Sequence, residues 1–354
     1  MTTKAIVFVE KGKAEIRDVP KPKLRDDYVL VKVNAVGINP TDWKHVDFGI
    51  TDPGSRVGCD YAGVVEEVGS KVEKSFKKGD RISGVVHGSD QTNSENGAFA
   101  NYIVAKGDVQ IKTPDNVSDE DAATLGISIC TVGQGLYRTL GLPLPGKQTT
   151  GDDDGEYILI YGGSTATGIY GIQFARLSGL RVVATSSPRN FDYLKSLGAS
   201  AVFDYNSPTV AADIRAHTGD NLKLAWDCTG FGGLICAGAL SSSRGGKYAT
   251  IVGATKREEL LAVNPKVDGP HATLMYSVFG ERFVKGGSET PAKPEEFEFA
   301  KMFWEVARGL LEEGRVRAPK VFANRGGSGL EGVLKGMDEL RGNKVSGGKL
   351  VYTL

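Results

Sequence analysis

Hydrophobic and polar positions alternate in short runs over the first third of the chain, where AIVFV, YVLVKVNAVGI, AGVVEEVG, KKGDRISGVV and GAFANYIVA follow one another between Lys4 and about Lys112. Turn residues separate the runs, and a period of two turns one face of each run inward, so the spacing predicts a compact, mostly antiparallel, barrel-like module. The next stretch, SDEDAATLGISICTVGQGLYRTLGL, has the apolar spacing of a helix with Ser118 in position to cap it. A polar, turn-rich loop, LPLPGKQTTGDDDGE, ends where the rhythm changes. YILIYGG, GIYGIQFARLSG, RVVATSS, NFDYLKSLGA, AVFDY, TVAADIRAHTG, LKLAWDCTG and KYATIVGA then alternate strand-like with helical runs, the signature of a parallel sheet wrapped by helices. From about Pro291 the tail holds an amphipathic helix (EEFEFAKMFWEVARGLLEEG), a strand (APKVFA), a helix (GLEGVLKGMDELRGN) and a last strand (GKLVYTL). A terminal strand needs a sheet to join, so the tail is expected to return to the first module. No internal repeat or low-complexity segment is visible.

A chain of 354 residues exceeds one ordinary hydrophobic core, which points to an α/β protein of two domains with a cleft as the natural site. The 43 basic and 43 acidic side chains cancel, and no stretch gathers Lys and Arg on one face, so nucleic acid is not an expected partner. The N-terminal apolar run is short and flanked by charges, and nowhere do about eighteen uncharged apolar residues follow one another. Neither secretion nor membrane insertion is expected. Cys59, Cys130, Cys228 and Cys236 are scattered without a CxxC pair, which suits reduced core thiols in a cytoplasmic enzyme.

The most informative segment runs from Tyr157 to Asn190. An apolar strand enters Gly162-Gly163-Ser164-Thr165-Ala166-Thr167-Gly168 and leaves as a helix, the order a dinucleotide site requires. Glycines allow a sharp turn and close approach of a pyrophosphate, and the unpaired amides and positive dipole end of the helix attract its charge. The spacing departs from GxGxxG: Ser164, Thr165 and Thr167 stand where glycine or alanine is the rule, so their hydroxyls are expected to replace some backbone contacts. The second strand ends in Ser186-Ser187-Pro188-Arg189-Asn190, where an NAD site would hold an acid on the ribose. Hydroxyls and a guanidinium suit a 2′-phosphate instead, so NADPH is the expected cofactor, with Ser187, Pro188, Arg189 and Asn190 around the phosphate. A solvated arginine at a helix start is the alternative for Arg189. Tyr205, ending AVFDY, is either under the adenine or at the edge of the core.

VGINPTDWK, GCDYAGVVEEVG, KKGDRISG, GAFANYIVA and YGGSTATG together resemble the medium-chain dehydrogenase/reductase superfamily over essentially the whole chain. GGSTATG, SPRN, FDY and GLPLP resemble, within it, the fungal trans-acting enoyl reductases that work beside polyketide synthases, the lovastatin-type and ToxD-like proteins among them. The resemblance implies a GroES-like catalytic domain (1–122, completed by 291–354) and a Rossmann NADPH-binding domain (123–290). Zinc members carry a Cys before an Asp or Thr in the first segment, then Gly-His-Glu, and a four-cysteine lobe. Asn39-Pro40-Thr41-Asp42 and Gly58-Cys59-Asp60 stand in those places here, and three converging zinc ligands cannot be assembled from four Cys and four His, so no metal is expected. Cys59 and Asp60 read as a buried thiol beside a hydrogen-bonded carboxylate. A conjugated carbonyl already makes its β-carbon electrophilic, so hydride transfer from nicotinamide to an enoyl group, with hydrogen bonds to the enolate, needs no Lewis acid.

By the same resemblance, Thr41, Asp42, Trp43 and Lys44 line the nicotinamide side of the cleft, Val252 and Gly253 lie under the nicotinamide, and Val345 and Ser346 approach it from the tail. Lys44, on the ribose or a phosphate, is also the candidate for stabilising the enolate; an ordinary exposed lysine is the alternative. His45 could donate a proton at neutral pH, but exposure on the surface of its helix is the expected fate. Ile129, Thr131, Val132, Gly133 and Tyr137, with Ser277, Val278, Phe279 and Gly280, resemble the acyl-binding wall and would equally suit interdomain packing. Three functions remain open: a trans-acting enoyl reductase on a carrier-bound polyketide thioester, a free-standing NADPH quinone or enone reductase, and a non-catalytic NADPH-binding protein. His271 and Pro270 would interrupt edge pairing along AVNPKVDGPHATLMYSVFG, so a monomer is expected.

Overall fold

The computed structural model describes residues 2–146 and 155–354, so most of the expected polar loop, residues 147–154, lies outside the described residues. The chain divides into two compact units, Met1–Cys130 with Tyr276–Leu354, and Thr131–Met275. These divisions lie beyond the 122/123 and before the 290/291 boundaries read from the sequence. Residues 276–290 belong with the N-terminal unit, where Tyr276 Oη lies 2.9 Å from Thr41 Oγ1.

In the first unit the strands are β1 (Thr2–Glu10), β2 (Lys13–Pro20) and β3 (Tyr28–Gly37), followed by helix α1 (Pro40–Phe48). Then come β4 (Asp60–Val68), β5 (Arg81–Val85), β6 (Tyr102–Lys106) and β7 (Gln110–Lys112). The long helix expected after Ser118 is broken. Ser118 Oγ does accept from the Asp121 amide, but α2 ends after one turn (Asp119–Ala122), and α3 (Gly126–Val132) begins separately before passing into a π-helical stretch, Gly133–Thr139. The cause is tertiary: Asp60 Oδ1 accepts from the Ile127 amide at 2.7 Å and so caps a second start, and a Cβ on Gly126 would lie 2.4 Å from that oxygen.

The second unit begins with β8 (Tyr157–Tyr161), α4 (Ala166–Leu177), β9 (Arg181–Ser186), α5 (Phe191–Ser196), β10 (Ala199–Asp204) and α6 (Val210–His217). It ends with β11 (Leu224–Asp227), α7 (Gly233–Ala239), β12 (Gly246–Thr250), α8 (Arg257–Val263) and β13 (Val267–Ala272). The strand order is β10-β9-β8-β11-β12-β13 and every pairing is parallel. Counted from β8 this is 3-2-1-4-5-6, the doubly wound Rossmann order, whose direction reverses between β8 and β11. Trp226, fully buried on β11, packs against Gly135 and Gly171, where a Cβ would lie 2.4 and 2.6 Å from its indole.

The tail supplies β14 (Phe283–Lys285) and β15 (Ser288–Thr290), paired as a hairpin, then α9 (Pro294–Glu312), β16 (Lys320–Ala323), α10 (Gly329–Arg341) and β17 (Gly348–Thr353). β17 pairs antiparallel with β3, in the sheet β16-β17-β3-β4-β5-β7 with β6 also on β3. Its core runs from Val29, Val31 and Ile103 to Leu330, Val333 and Tyr352.

Candidate active site

In the nucleotide-type unit, the turn after β8 is built by its own glycines and by β9. Gly162 has φ 76°, a left-handed value that favours glycine, and its amide donates to Thr185 Oγ1 at 3.0 Å while the Gly163 amide donates to the Thr185 carbonyl at 2.9 Å. Thr165 is the N-cap of α4: its Oγ1 accepts from the Gly168 amide at 3.0 Å and donates to the Gly162 carbonyl at 2.8 Å. A Cβ on Gly168 would lie 2.4 Å from that same carbonyl, so helix and turn close on each other through bare backbone. Ser164, Ala166 and Thr167 are half-buried around the opening.

Two neighbouring loops meet this turn. Asp227, closing β11, accepts from the amides of Thr229, Gly230 and Gly232 and from Tyr248 Oη, which fixes the loop 228–232. A Cβ on Gly162 would lie 2.4 Å from Thr229 Cγ2, and one on Gly230 would lie 2.7 Å from Val252 Cβ. The loops after β8, β11 and β12 are therefore side by side, and Val252 beyond β12 is half-exposed there with Gly253 exposed beside it. Beyond β9, Pro188–Asn190 form one 3-10 turn with Arg189 exposed and Asn190 buried. No ion pair or hydrogen bond engages Arg189 among the described residues, and Ser187 Oγ lies 3.3 Å from Tyr205 Oη at the end of β10. Of the residues singled out in the sequence, Thr131, Val132, Gly133 and Tyr137 are buried in this unit, with Tyr137 Oη 2.9 Å from Ser178 Oγ.

The first unit holds a second cluster. Asp42 is buried at the start of α1, where its Oδ2 accepts from the Asn39 amide at 2.7 Å. Burial, with Asp60 nearby, pushes its carboxyl up to about 7. Trp43 and Lys44 are half-buried, the Lys44 Nζ lying 5.7 Å from the Trp43 ring centre. The expected surface position of His45 is overturned: it is 3% exposed, because the turn of α1 that carries it faces Tyr276 and the β14–β15 hairpin. Burial and the charge of Lys285 hold its imidazole down to about 3, so it is neutral at neutral pH and has no imidazolium proton to donate. Tyr276 joins this group through Thr41 and stacks at 4.2 Å on His87, which in turn stacks on Phe279. Ser277 and Val278 are buried, Ile129 is buried, and Gly280 takes φ 69°. Val345 and Ser346 are half-buried between α10 and β17.

The positions that would hold zinc carry other chemistry. Lys349 of β17 donates from its buried ammonium to Asp60 Oδ2, to Asn39 Oδ1 at 2.9 Å and to the Thr124 carbonyl at 3.2 Å. Cys59 is fully buried against Asp42 and Tyr276, and burial, with the nearby Asp42 and Asp60 carboxylates, drives its thiol well above the usual range. Among the described residues no three His, Cys, Asp or Glu side chains converge on one point. An ammonium on Asp60 and an inert thiol at Cys59 do not fit a zinc ion. Sequence reasoning missed Thr185, Asp227, Tyr276, Lys285 and Lys349. Only Asp227, in the apolar run LAWDCTG, carried a local signal, a lone acid at a strand end.

Two folds of this kind, a GroES-like unit and a parallel Rossmann unit, define a medium-chain dehydrogenase/reductase. The family described as alcohol dehydrogenase GroES-like domain matches residues 25–115, and that described as zinc-binding dehydrogenase matches residues 166–288. An alcohol dehydrogenase superfamily protein from Novosphingobium aromaticivorans has the same fold, with a TM-score of 0.79 over 99% of both chains at 23% identity. Within that class the chain belongs to the trans-enoyl reductases. It is 43% identical to the trans-enoyl reductase resD of Aspergillus sclerotiorum, covering 98% of this chain and 99% of that one, and 41% identical to the trans-enoyl reductase ACTTS2 of Alternaria alternata, covering 100% and 99%. It is an oxidoreductase.

Proposed function

We propose that the chain reduces the carbon–carbon double bond of an enoyl thioester, carried by a polyketide synthase, with NADPH as the reductant. The observation that carries this reading is likeness to trans-enoyl reductases over nearly the full length of both chains. NADPH, when bound, supplies a hydride to the β-carbon of the conjugated thioester. The backbone amides of Ser164, Ala166 and Thr167, at the capped and positive start of α4, suit its pyrophosphate, with the Gly162–Gly163 turn and Gly168 packed tightly enough to hold that helix start against the turn. Ser187, Arg189 and Asn190, with Pro188 fixing the turn, hold the 2′-phosphate, and Tyr205 covers the adenine. The exposed guanidinium, engaged by no ion pair among the described residues, and the lack of an acid at the end of β9 support that choice over NADH. Val252 and Gly253, Thr41 to Lys44, and Val345 with Ser346 bind the nicotinamide end, while Ile129, Thr131, Val132, Gly133, Tyr137 and Ser277 to Gly280 receive the acyl chain.

The test is loss of NADPH absorbance when the purified protein meets crotonyl-pantetheine or butyryl-pantetheine. Consumption with the enoyl thioester alone is expected. Turnover of quinones with none of crotonyl-pantetheine would return the chain to the free-standing reductase reading, and cofactor binding with no turnover of any alkene would leave a binding protein.

A further inference from the structure

The tail hairpin carries a lysine that pairs with no carboxylate among the described residues. β14 and β15 pair Lys285 with Ser288 across Gly286 and Gly287, whose φ values of 57° and 77° make a two-residue turn that only residues tolerant of left-handed backbone can form. The turn fixes where the lysine leaves the strand, and its ammonium ends inside the first unit. Nζ lies 2.5 Å from His45 Nε2 and 4.2 Å from the centre of the Tyr276 ring. Among the described residues no carboxylate pairs with it.

The groups that face it are uncharged. His45 Nε2 accepts a hydrogen bond from the Lys285 ammonium, which leaves the ring's own hydrogen on Nδ1, and that buried nitrogen has no partner among the described residues. His87 is likewise held neutral, to about 3, by burial and by Lys285, and its Nδ1 lies 3.7 Å from Asp90 Oδ2. The Cys59 thiol is protonated, and Tyr276 Oη is engaged with Thr41. Asp42, beyond Cys59, is itself shifted toward its neutral form. Lys285 is half-buried, and holding a cation among neutral groups is costly, which makes such a lysine a candidate for a ligand that brings negative charge.

We propose that the Lys285 ammonium, held by His45 and the Tyr276 ring, receives the carbonyl oxygen of the enoyl thioester as that oxygen becomes an enolate. The proposal rests on the enoyl reductase reading above. As the hydride and its electron pair form the new bond at the β-carbon, the alkene π pair moves between the α-carbon and the carbonyl carbon, and the carbonyl π pair moves onto oxygen. Lys285 donates a hydrogen bond to that oxygen and keeps all three of its protons. The α-carbon then takes a proton from water, which leaves as hydroxide, as the carbonyl re-forms. A positioned donor to the developing oxyanion does the work a Lewis acid would otherwise do.

The experiment compares wild type, Lys285→Met and Lys285→Arg with crotonyl-pantetheine and NADPH, and measures NADPH affinity of each by fluorescence. Lys285→Met is expected to lower kcat by about 100- to 1000-fold while leaving the NADPH Kd within about threefold, a control for folding. Burial brings the lysine down to about 8, so wild-type kcat is expected to fall as pH rises through about 8. Lys285→Arg, which stays charged, is expected to keep measurable activity and to lose that alkaline fall. A Lys285→Met kcat within about threefold of an active wild type overturns the proposal. So does an alkaline fall that Lys285→Arg leaves in place, a result that decides the matter even if the methionine variant fails to fold. A wild type inert toward crotonyl-pantetheine refutes the enoyl reductase reading itself, which separates the two failures.

Discussion

Lys349 and Asp60 show how one residue pair replaces a metal centre as the organiser of a site. Both side chains are buried, and the ammonium also ties Asn39 at the start of α1 to the carbonyl of Thr124 in the gap between α2 and α3. Removing one partner strands the other charge, so Lys349→Met is expected to cost roughly 3–5 kcal/mol of unfolding free energy in urea. The double variant Lys349→Met/Asp60→Asn, with no stranded charge, is expected to recover part of that loss. The buried thiol of Cys59 beside a hydrogen-bonded Asp60 was legible. The partner of Asp60 was not: Asp60 and Lys349 are 289 positions apart, and a lysine in a terminal strand reads as solvated until the sheet is assembled. His45 and Lys285, 240 positions apart, were hidden for the same reason.

At the scale of elements, the local signals were sound and the tertiary interruptions were invisible. β8, the glycine turn and α4 form where the strand-turn-helix pattern put them, because the turn is made by glycines and a threonine cap within seven residues of one another. The break between α2 and α3 depends on a carboxylate 67 residues earlier, and no spacing within SDEDAATLGISICTV announces it. The β14–β15 hairpin had a signal that was passed over, since two glycines between short β-prone runs favour the primed turns of hairpins. The end of β9 belongs to this scale too, because strand and 3-10 turn together present Arg189 to solvent. A charge-assisted contact to phosphate is worth about 1.5–3 kcal/mol. Arg189→Ala is therefore expected to raise the NADPH Kd by about ten- to a hundredfold and the NADH Kd by less than about threefold. Equal weakening of both, by titration calorimetry, would remove the 2′-phosphate from the account.

Across the whole molecule, acid stability reflects the buried histidines. His45 and His87 have folded values near 3 against an ordinary 6.5, so between those limits the unfolded chain binds protons that the folded chain refuses. Their contribution is fully present above about 6.5 and is lost as pH falls toward 3. The raised carboxyls of Asp42, Asp60 and Asp90 act in the opposite sense as pH falls, so the histidine contribution is read as a difference: the urea midpoint of wild type is expected to fall relative to that of His45→Gln/His87→Gln as pH drops from about 6.5 toward 3, and parallel curves would show that the rings titrate freely. The two-unit plan itself was readable, because a switch of hydrophobic period near Tyr157 and a tail of helix, strand, helix and strand are properties of composition and spacing.

The return of the tail to β3 has a consequence for biogenesis. Residues 131–275 emerge from the ribosome as a complete parallel sheet, while Ala35–Gly37 of β3, beyond the stretch that β6 pairs, stay open on one edge until 348–353 arrive to cover them. One of the oldest parts of the nascent chain is thus completed last, and for that interval a short unpaired strand end is exposed to its neighbours.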